Sequence, residues 1–281
     1  MKSHFIIIPA ILFSLFFSHA AFSQEIGHFE ITRSEVHQIK SKTLGRIYEV
    51  FIRLPRGYDK KDQQQYPVIY SNDGPYPFLV GSSVTQLLAS DKAILVGVSF
   101  AQDENGMASR VRDLTPIKNK SWTKYQTGGA VKFLEFIETE VISFIEKNYR
   151  TNSTRIFTGQ SLGGSFGTWV LLTKPELFSH YILTSPSLWY KDNMIFDIEK
   201  KYAQKNDTLA AKVYFAIGGL ETKENGMHYD MVEDLKSFTK QLAARNYKQF
   251  EMKSEIIEGT THKATYPVGF TKGLLWLLDD L

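Results

Sequence analysis

The sequence of 281 residues contains no cysteine. Disulfides, thiolate metal ligands, a cysteine nucleophile and lipidation through an N-terminal cysteine are therefore excluded. Charge of one dominant sign is also missing. With 33 Lys+Arg against 30 Asp+Glu the formal net charge is +3, which gives no electrostatic basis for holding nucleic acid. Histidines and carboxylates nowhere repeat with ligand spacing, so neither a metal nor a cofactor is expected. Internal repeats, low-complexity tracts and Pro/Ser-rich linkers are lacking too.

Long apolar runs are scarce, and the longest opens the chain. In "MKSHFIIIPAILFSLFFSHAAFSQE", Lys2 precedes an apolar run from Phe5 to Phe17, shorter than the roughly 20 residues a bilayer span requires. Small residues at Ala21 and Ser23 then precede a cut between Ser23 and Gln24. Residues 1–23 read as a secretory signal peptide, so the protein is expected to be exported, periplasmic or secreted, without a stable membrane anchor. An uncleaved anchor is the alternative. Residues 24–281 suit one α/β domain with a substantial core, and without disulfides that core alone must hold an exported chain together.

Past the leader, "HFEITRSEVHQIKS" and "GRIYEVFIRLP" read as an antiparallel strand pair. Strands and helices then alternate. "YPVIYSND" precedes a helical stretch near 79–88, and "AILVGVSF", "RIFTG", "YILTSPS" and "KVYFAIGG" are short apolar runs typical of buried parallel strands. In "GAVKFLEFIETEVISFIEKNY", Val131, Phe133, Leu134, Phe136, Ile137, Val141 and Phe144 make an apolar helical stripe. "YDMVEDLKSFTKQLAARN" is a second amphipathic helix, "FEMKSEIIEG" the last strand, and "GFTKGLLWLLDDL" a closing helix. The pattern predicts a three-layer α/β sandwich, its mostly parallel sheet starting with antiparallel strands. Residues 101–127 read as one long loop, and loops of that length in a compact domain are usually functional.

The stretch "RIFTGQSLGGSFGTWVLL" changes period at Gly159-Gln160-Ser161-Leu162-Gly163. A strand that turns into a helix through Gly-x-Ser-x-Gly is a nucleophile elbow: the bend exposes the hydroxyl, and side chains at the glycines would collide. The helix N-terminus directs free N–H groups and a positive dipole end to the same place, which favours an oxyanion. Ser161 is thus the candidate nucleophile; a structural turn is the alternative.

In this motif the chain order is serine, acid, histidine. His4, His19, His28 and His37 precede Ser161 and drop out. His180 suits a capping or packing role and His228 a solvated one, whereas His262 follows the last strand at its C-terminal end, where catalytic loops gather. His262 is the candidate base. The acid should leave a strand end between the two. Glu221, three residues after Gly218, is favoured to hold the imidazole's tautomer, with Asp192 and Asp230 as competitors whose ordinary roles are a solvated carboxylate or a helix cap.

Several separated stretches together resemble the esterase family of the α/β-hydrolase superfamily, which includes esterase D, siderophore esterases and bacterial feruloyl and acetyl-xylan esterases. They are "PVIYSNDG", "ILVGVSF", "RVRDLTP", "TGGAVKFLEFIETEVISFIEKNYRT", "GQSLGG", "KPELFSHYILTSPSLWY", "IGGLE" and the segment around His262, in family order from Tyr66 onward. The resemblance implies a triad of Ser161, Glu221 and His262. It also implies an oxyanion hole made by the Leu162 amide and an amide just after "DG". Here Pro75 follows Gly74 and has no N–H, so a donor near Gly74 or Tyr76, a shifted backbone or a side chain must serve.

Tyr76, Trp122, Tyr125, Trp189 and Tyr190 are candidates to stack on an aromatic or sugar group. Arg110 and Arg112 are candidates to hold an acidic substrate or, in the ordinary reading, to pair with Asp113. The expected activity is hydrolysis of carboxylic esters, with a siderophore lactone or a polysaccharide-linked acyl ester as substrate. Acyl transfer on the same scaffold, or an esterase-like binding protein with weak catalysis, are the alternatives.

Overall fold

The computed structural model describes residues 30–281; the expected leader at 1–23 lies outside them. Strands form where apolar and β-branched residues cluster: β1 Ser34–Lys40, β2 Ile47–Arg53, β3 Tyr66–Ser71, β4 Ile94–Ala101, β5 Thr151–Gln160, β6 His180–Thr184, β7 Thr208–Gly218 and β8 Lys248–Ile257. They make one eight-stranded sheet in the order β1-β2-β4-β3-β5-β6-β7-β8. β1 pairs antiparallel with β2 and β2 antiparallel with β4, and every later pairing is parallel. Strands covered on both faces bury unbroken stretches, as all of β3 does, while edge strand β1 alternates more and less exposed residues.

The helices are α1 Pro75–Leu88, α2 Gly106–Leu114, α3 Ala130–Phe136, α4 Ser143–Asn148, α5 Leu162–Thr173, α6 Tyr190–Ala203, α7 Met231–Arg245 and α8 His262–Leu277. α1 and α8 pack together on one face of the sheet, and α5, with α2, α6 and α7 around it, covers the other. Residues Thr32–Leu281 make one compact unit. Among the described residues no helix is long and apolar enough to cross a membrane.

Three sequence expectations are corrected. The stretch 101–127 is not one loop, because α2 forms inside it; the Asn105 side chain caps its start by accepting from the amides of Met107 and Ala108. The closing helix begins at His262, ahead of Pro267, which sits inside it. A proline reads as a helix start, yet in the second turn it removes only one intrahelical bond, and packing of α8 against β6 and β7 tolerates that. Val131 lies 60% exposed, with Ala130 buried in its place. A π-helical turn at Ile137–Ile142 joins α3 to α4, and the extra residue it inserts shifts the apolar phase along the rod.

Candidate active site

β5 runs into α5 through Ser161, whose backbone sits at φ 59° and ψ −121°. Such a conformation costs a non-glycine residue on the order of 1–3 kcal/mol and persists only where surroundings over-determine it. Here three backbone bonds hold it. The Ser161 amide donates to Thr184 O at 3.0 Å, and its carbonyl accepts from Ser165 N at 2.9 Å and Ser187 N at 3.1 Å. The flanking glycines are steric requirements. A Cβ on Gly159 would stand 2.5 Å from Gly163 O, and one on Gly163 would stand 2.5 Å from Asn72 Oδ1.

Glu221 leaves β7 three residues past its end and is fully buried. Its Oε2 accepts from His262 Nδ1 at 2.6 Å. Its Oε1 accepts from Ser185 Oγ at 2.6 Å, the Gly218 amide at 2.8 Å and Thr265 Oγ1 at 2.8 Å. Burial pushes the carboxyl pKa up, but the bonds from His262, Ser185 and Gly218 outweigh it and hold the group below the ordinary carboxylate range. The carboxylate therefore stays ionised, and its bond to Nδ1 leaves Nε2 of a neutral His262 as the basic nitrogen. The competing acids sit elsewhere. Asp192 is exposed and paired with Lys191 Nζ at 2.9 Å, and Asp230 caps α7 by accepting from Glu233 N at 2.9 Å.

Between the two halves the contact is indirect. Ser161 Oγ lies 3.3 Å from Ser187 Oγ and, among the described residues, makes no hydrogen bond to His262. The Gln160 side-chain amide, from the residue before the serine, donates to the His262 carbonyl and ties the elbow to the start of α8. In ligand-free sites such hydrogen bonds are often long and tighten only around substrate.

Leu162 and Tyr76 occupy the first turns of α5 and α1, where amides have no intrahelical acceptor. Gly74 does not offer a donor: its amide is spent on Val98 O at 3.2 Å, a bond that anchors the β3–α1 turn to β4. Arg110 pairs with Asp73, not Asp113, through Nε–Oδ1 at 2.7 Å and Nη2–Oδ2 at 2.9 Å, and also donates to Gln160 O at 3.2 Å. The partner of Asp113 is Arg112, at 2.8 Å. α2 explains the exchange, since helical geometry sends neighbouring residues 110 and 112 in different directions.

A cavity of about 490 Å³ opens over Ser161 and Leu162, bounded by Arg110, Trp122, Tyr125 and Trp189. Tyr76 lies outside its lining, with 76% of its surface exposed. Tyr190 is buried, its hydroxyl on Ile117 O at 2.7 Å and its ring edge-on to Trp122. His180 bonds Ser179 Oγ at 2.8 Å, and His228 packs against Tyr229. Sequence reading missed Ser185, Ser187, Gln160 and Thr265. Thr265 had a signal: once α8 starts at His262, residues 262 and 265 share a helix face and both reach Glu221.

Comparison with known proteins gives a consistent result. The model of the family described as "Putative esterase" matches residues 41–277. The ferri-bacillibactin esterase BesA of Bacillus subtilis is 27% identical over 271 residues, 89% of this chain and 91% of that protein. The crystal structure of the BES protein from Bacillus cereus superposes with a TM-score of 0.76 at 28% identity, covering 90% of this chain and 97% of that one. An IroE-like serine hydrolase from Shewanella oneidensis superposes at 0.77 and 28%, covering 88% of this chain and 80% of that one.

Proposed function

The chain belongs to this esterase family, whose members hydrolyse carboxylic esters, and we propose that it does so as a serine esterase through Ser161, His262 and Glu221. The observation that carries the assignment is a buried Glu221 bonded at 2.6 Å to the Nδ1 of His262, on a segment tied to the strained elbow that bears Ser161. Ser161 attacks the ester carbonyl while His262 Nε2 takes its proton. The hydroxyl must first turn from Ser187 to the imidazole, and an ester seated in the cavity drives that exchange by displacing the serine–serine contact. The tetrahedral oxyanion is met by the Leu162 amide and, since Pro75 has no N–H and Gly74 is occupied, by the Tyr76 amide. His262 then returns the proton to the leaving alcohol, and water resolves the acyl-enzyme by the same route.

The substrate we propose is a siderophore ester, as the relative from Bacillus subtilis is named for ferri-bacillibactin, and the site of action is outside the cytoplasm, from the leader at 1–23. A 4-nitrophenyl ester series from acetate to octanoate, run beside 4-nitrophenyl ferulate and a ferric siderophore, tests both levels. Turnover of the short esters and the siderophore is expected. Turnover of ferulate alone would move the substrate to plant-type acyl esters, and turnover of none by folded protein would remove the hydrolase reading.

A further inference from the structure

Two arginines meet near the C-terminal end of α1, at the opposite end from the turn that bears Tyr76. Arg53 closes β2 and Arg33 immediately precedes β1, and the pairing of Ser34 with Arg53 brings the two together. Each donates from Nη2 to the same atom, Gln86 Oε1, at 2.6 Å. Arg53 also donates to the Ser82 carbonyl, and Arg33 donates from Nε to the Leu54 carbonyl at 3.3 Å. All of these acceptors are neutral, and among the described residues neither guanidinium forms an ion pair. Arg53 is only 8% exposed. Burial and the neighbouring Arg33 charge hold its pKa below the ordinary guanidinium value. The end of α1 offers about half a negative charge against two positive ones, whereas buried charges are ordinarily paired. A cavity of about 10 Å³ opens between the two arginines and Gln86, its other walls including the apolar Leu54, Ala93 and Leu95. That volume admits about one water-sized sphere. A guanidinium carries five N–H donors, and each of these two spends only part of its set on the acceptors above. Unused donors and uncompensated positive charge therefore meet at one small cavity.

We infer that this cavity is a binding site for a single chloride ion, which bridges the guanidiniums of Arg33 and Arg53 and fastens the β1–β2 pair to α1. A monatomic anion fits where a tetrahedral oxyanion is too large. The guanidinium, weakly hydrated itself, suits an anion that also gives up its water readily beside apolar walls. The site concerns the hold on the edge of the sheet and is independent of the esterase reading.

The test is urea unfolding of the full protein as sodium chloride replaces sodium methanesulfonate at constant ionic strength, so that general screening stays fixed. An ion bound only by the folded state raises the folded-to-unfolded ratio by about tenfold when chloride reaches ten times its Kd, and the rise follows a saturating curve. R33Q, at an exposed position, is expected to shrink that rise toward none. Q86E places a carboxylate between the two guanidiniums, so it is expected to raise the urea midpoint in methanesulfonate alone and to abolish the response to chloride. Because each response is read within one variant, a general loss of stability in that variant cancels. A wild-type midpoint that chloride leaves unchanged, a response equally large in R33Q, or a Q86E midpoint below wild type in methanesulfonate overturns the inference. Crystals grown in sodium bromide locate the ion by its anomalous scattering. A peak between Arg33 and Arg53 supports the site, and no peak there contradicts it.

Discussion

At the scale of single residues, the site is defined by what each polar atom has as a partner. Ser161→Ala and His262→Ala are each expected to lower kcat by roughly 10⁴-fold or more, with little change in KM, because both act in the transition state. Steady-state kinetics on short esters check this. Asp192→Asn is expected to leave kcat on neutral esters unchanged, since that carboxylate is exposed and paired with Lys191; a loss comparable to that of Glu221→Ala would reassign the acid. Glu221 also predicts a pH signature in stability. Its carboxyl is held below the ordinary range in the folded state, so its contribution is present above the unfolded pKa of about 4.3 and fades as pH falls through the folded value. The gap in urea midpoint between wild type and Glu221→Gln should be steady from neutral pH down to about 5 and narrow below about 4. A gap that widens in acid would mean that the carboxyl is protonated in the native protein.

Among the elements, the elbow is the most constrained. Gly159→Ala would place a methyl 2.5 Å from the Gly163 carbonyl, and backbone on both sides prevents relief. A loss of about 1–3 kcal/mol is expected, measurable as a lower urea midpoint; an unchanged midpoint would show the turn to be more yielding than its geometry indicates. This element was legible in the sequence because glycine spacing and a change of period are local signals. The same holds for Glu221, which follows the apolar run of β7, and for His262, which follows the last strand before the closing helix. The grip on Glu221 was not legible. Ser185 and Thr265 reach it from β6 and α8, elements brought side by side only by the sheet order. The partners of Gly74 and Arg110 were not legible for a related reason, since Val98 and Asp73 reach them only through the tertiary placement of a turn and of α2.

For the whole molecule, alternation of strand and helix was enough to read a mostly parallel sheet opened by an antiparallel pair, because strands buried on both faces carry unbroken apolar runs. The strand order could not be read that way: β4 lies between β2 and β3, and periodicity is silent on neighbours. That order gathers the C-terminal ends of β3, β5, β6, β7 and β8 into one rim, where the Asp73–Arg110 pair, the elbow, Ser185, Glu221 and His262 meet. The export proposed from residues 1–23 is tested on the full chain. Expressed from Met1 in a bacterium, the protein is expected in the periplasmic fraction with Gln24 as its first residue, read by intact-mass spectrometry. Recovery of the uncut chain in the membrane pellet would favour an anchor over a cleaved leader.

The claim on which these others depend is that Ser161 is a nucleophile activated by the His262–Glu221 pair. The most direct measurement is reaction of the folded protein with a fluorophosphonate, followed by peptide mass spectrometry. The account predicts one covalent adduct, on Ser161, absent from Ser161→Ala and strongly slowed in His262→Ala. An adduct on any other residue, or none on correctly folded wild type, would contradict it.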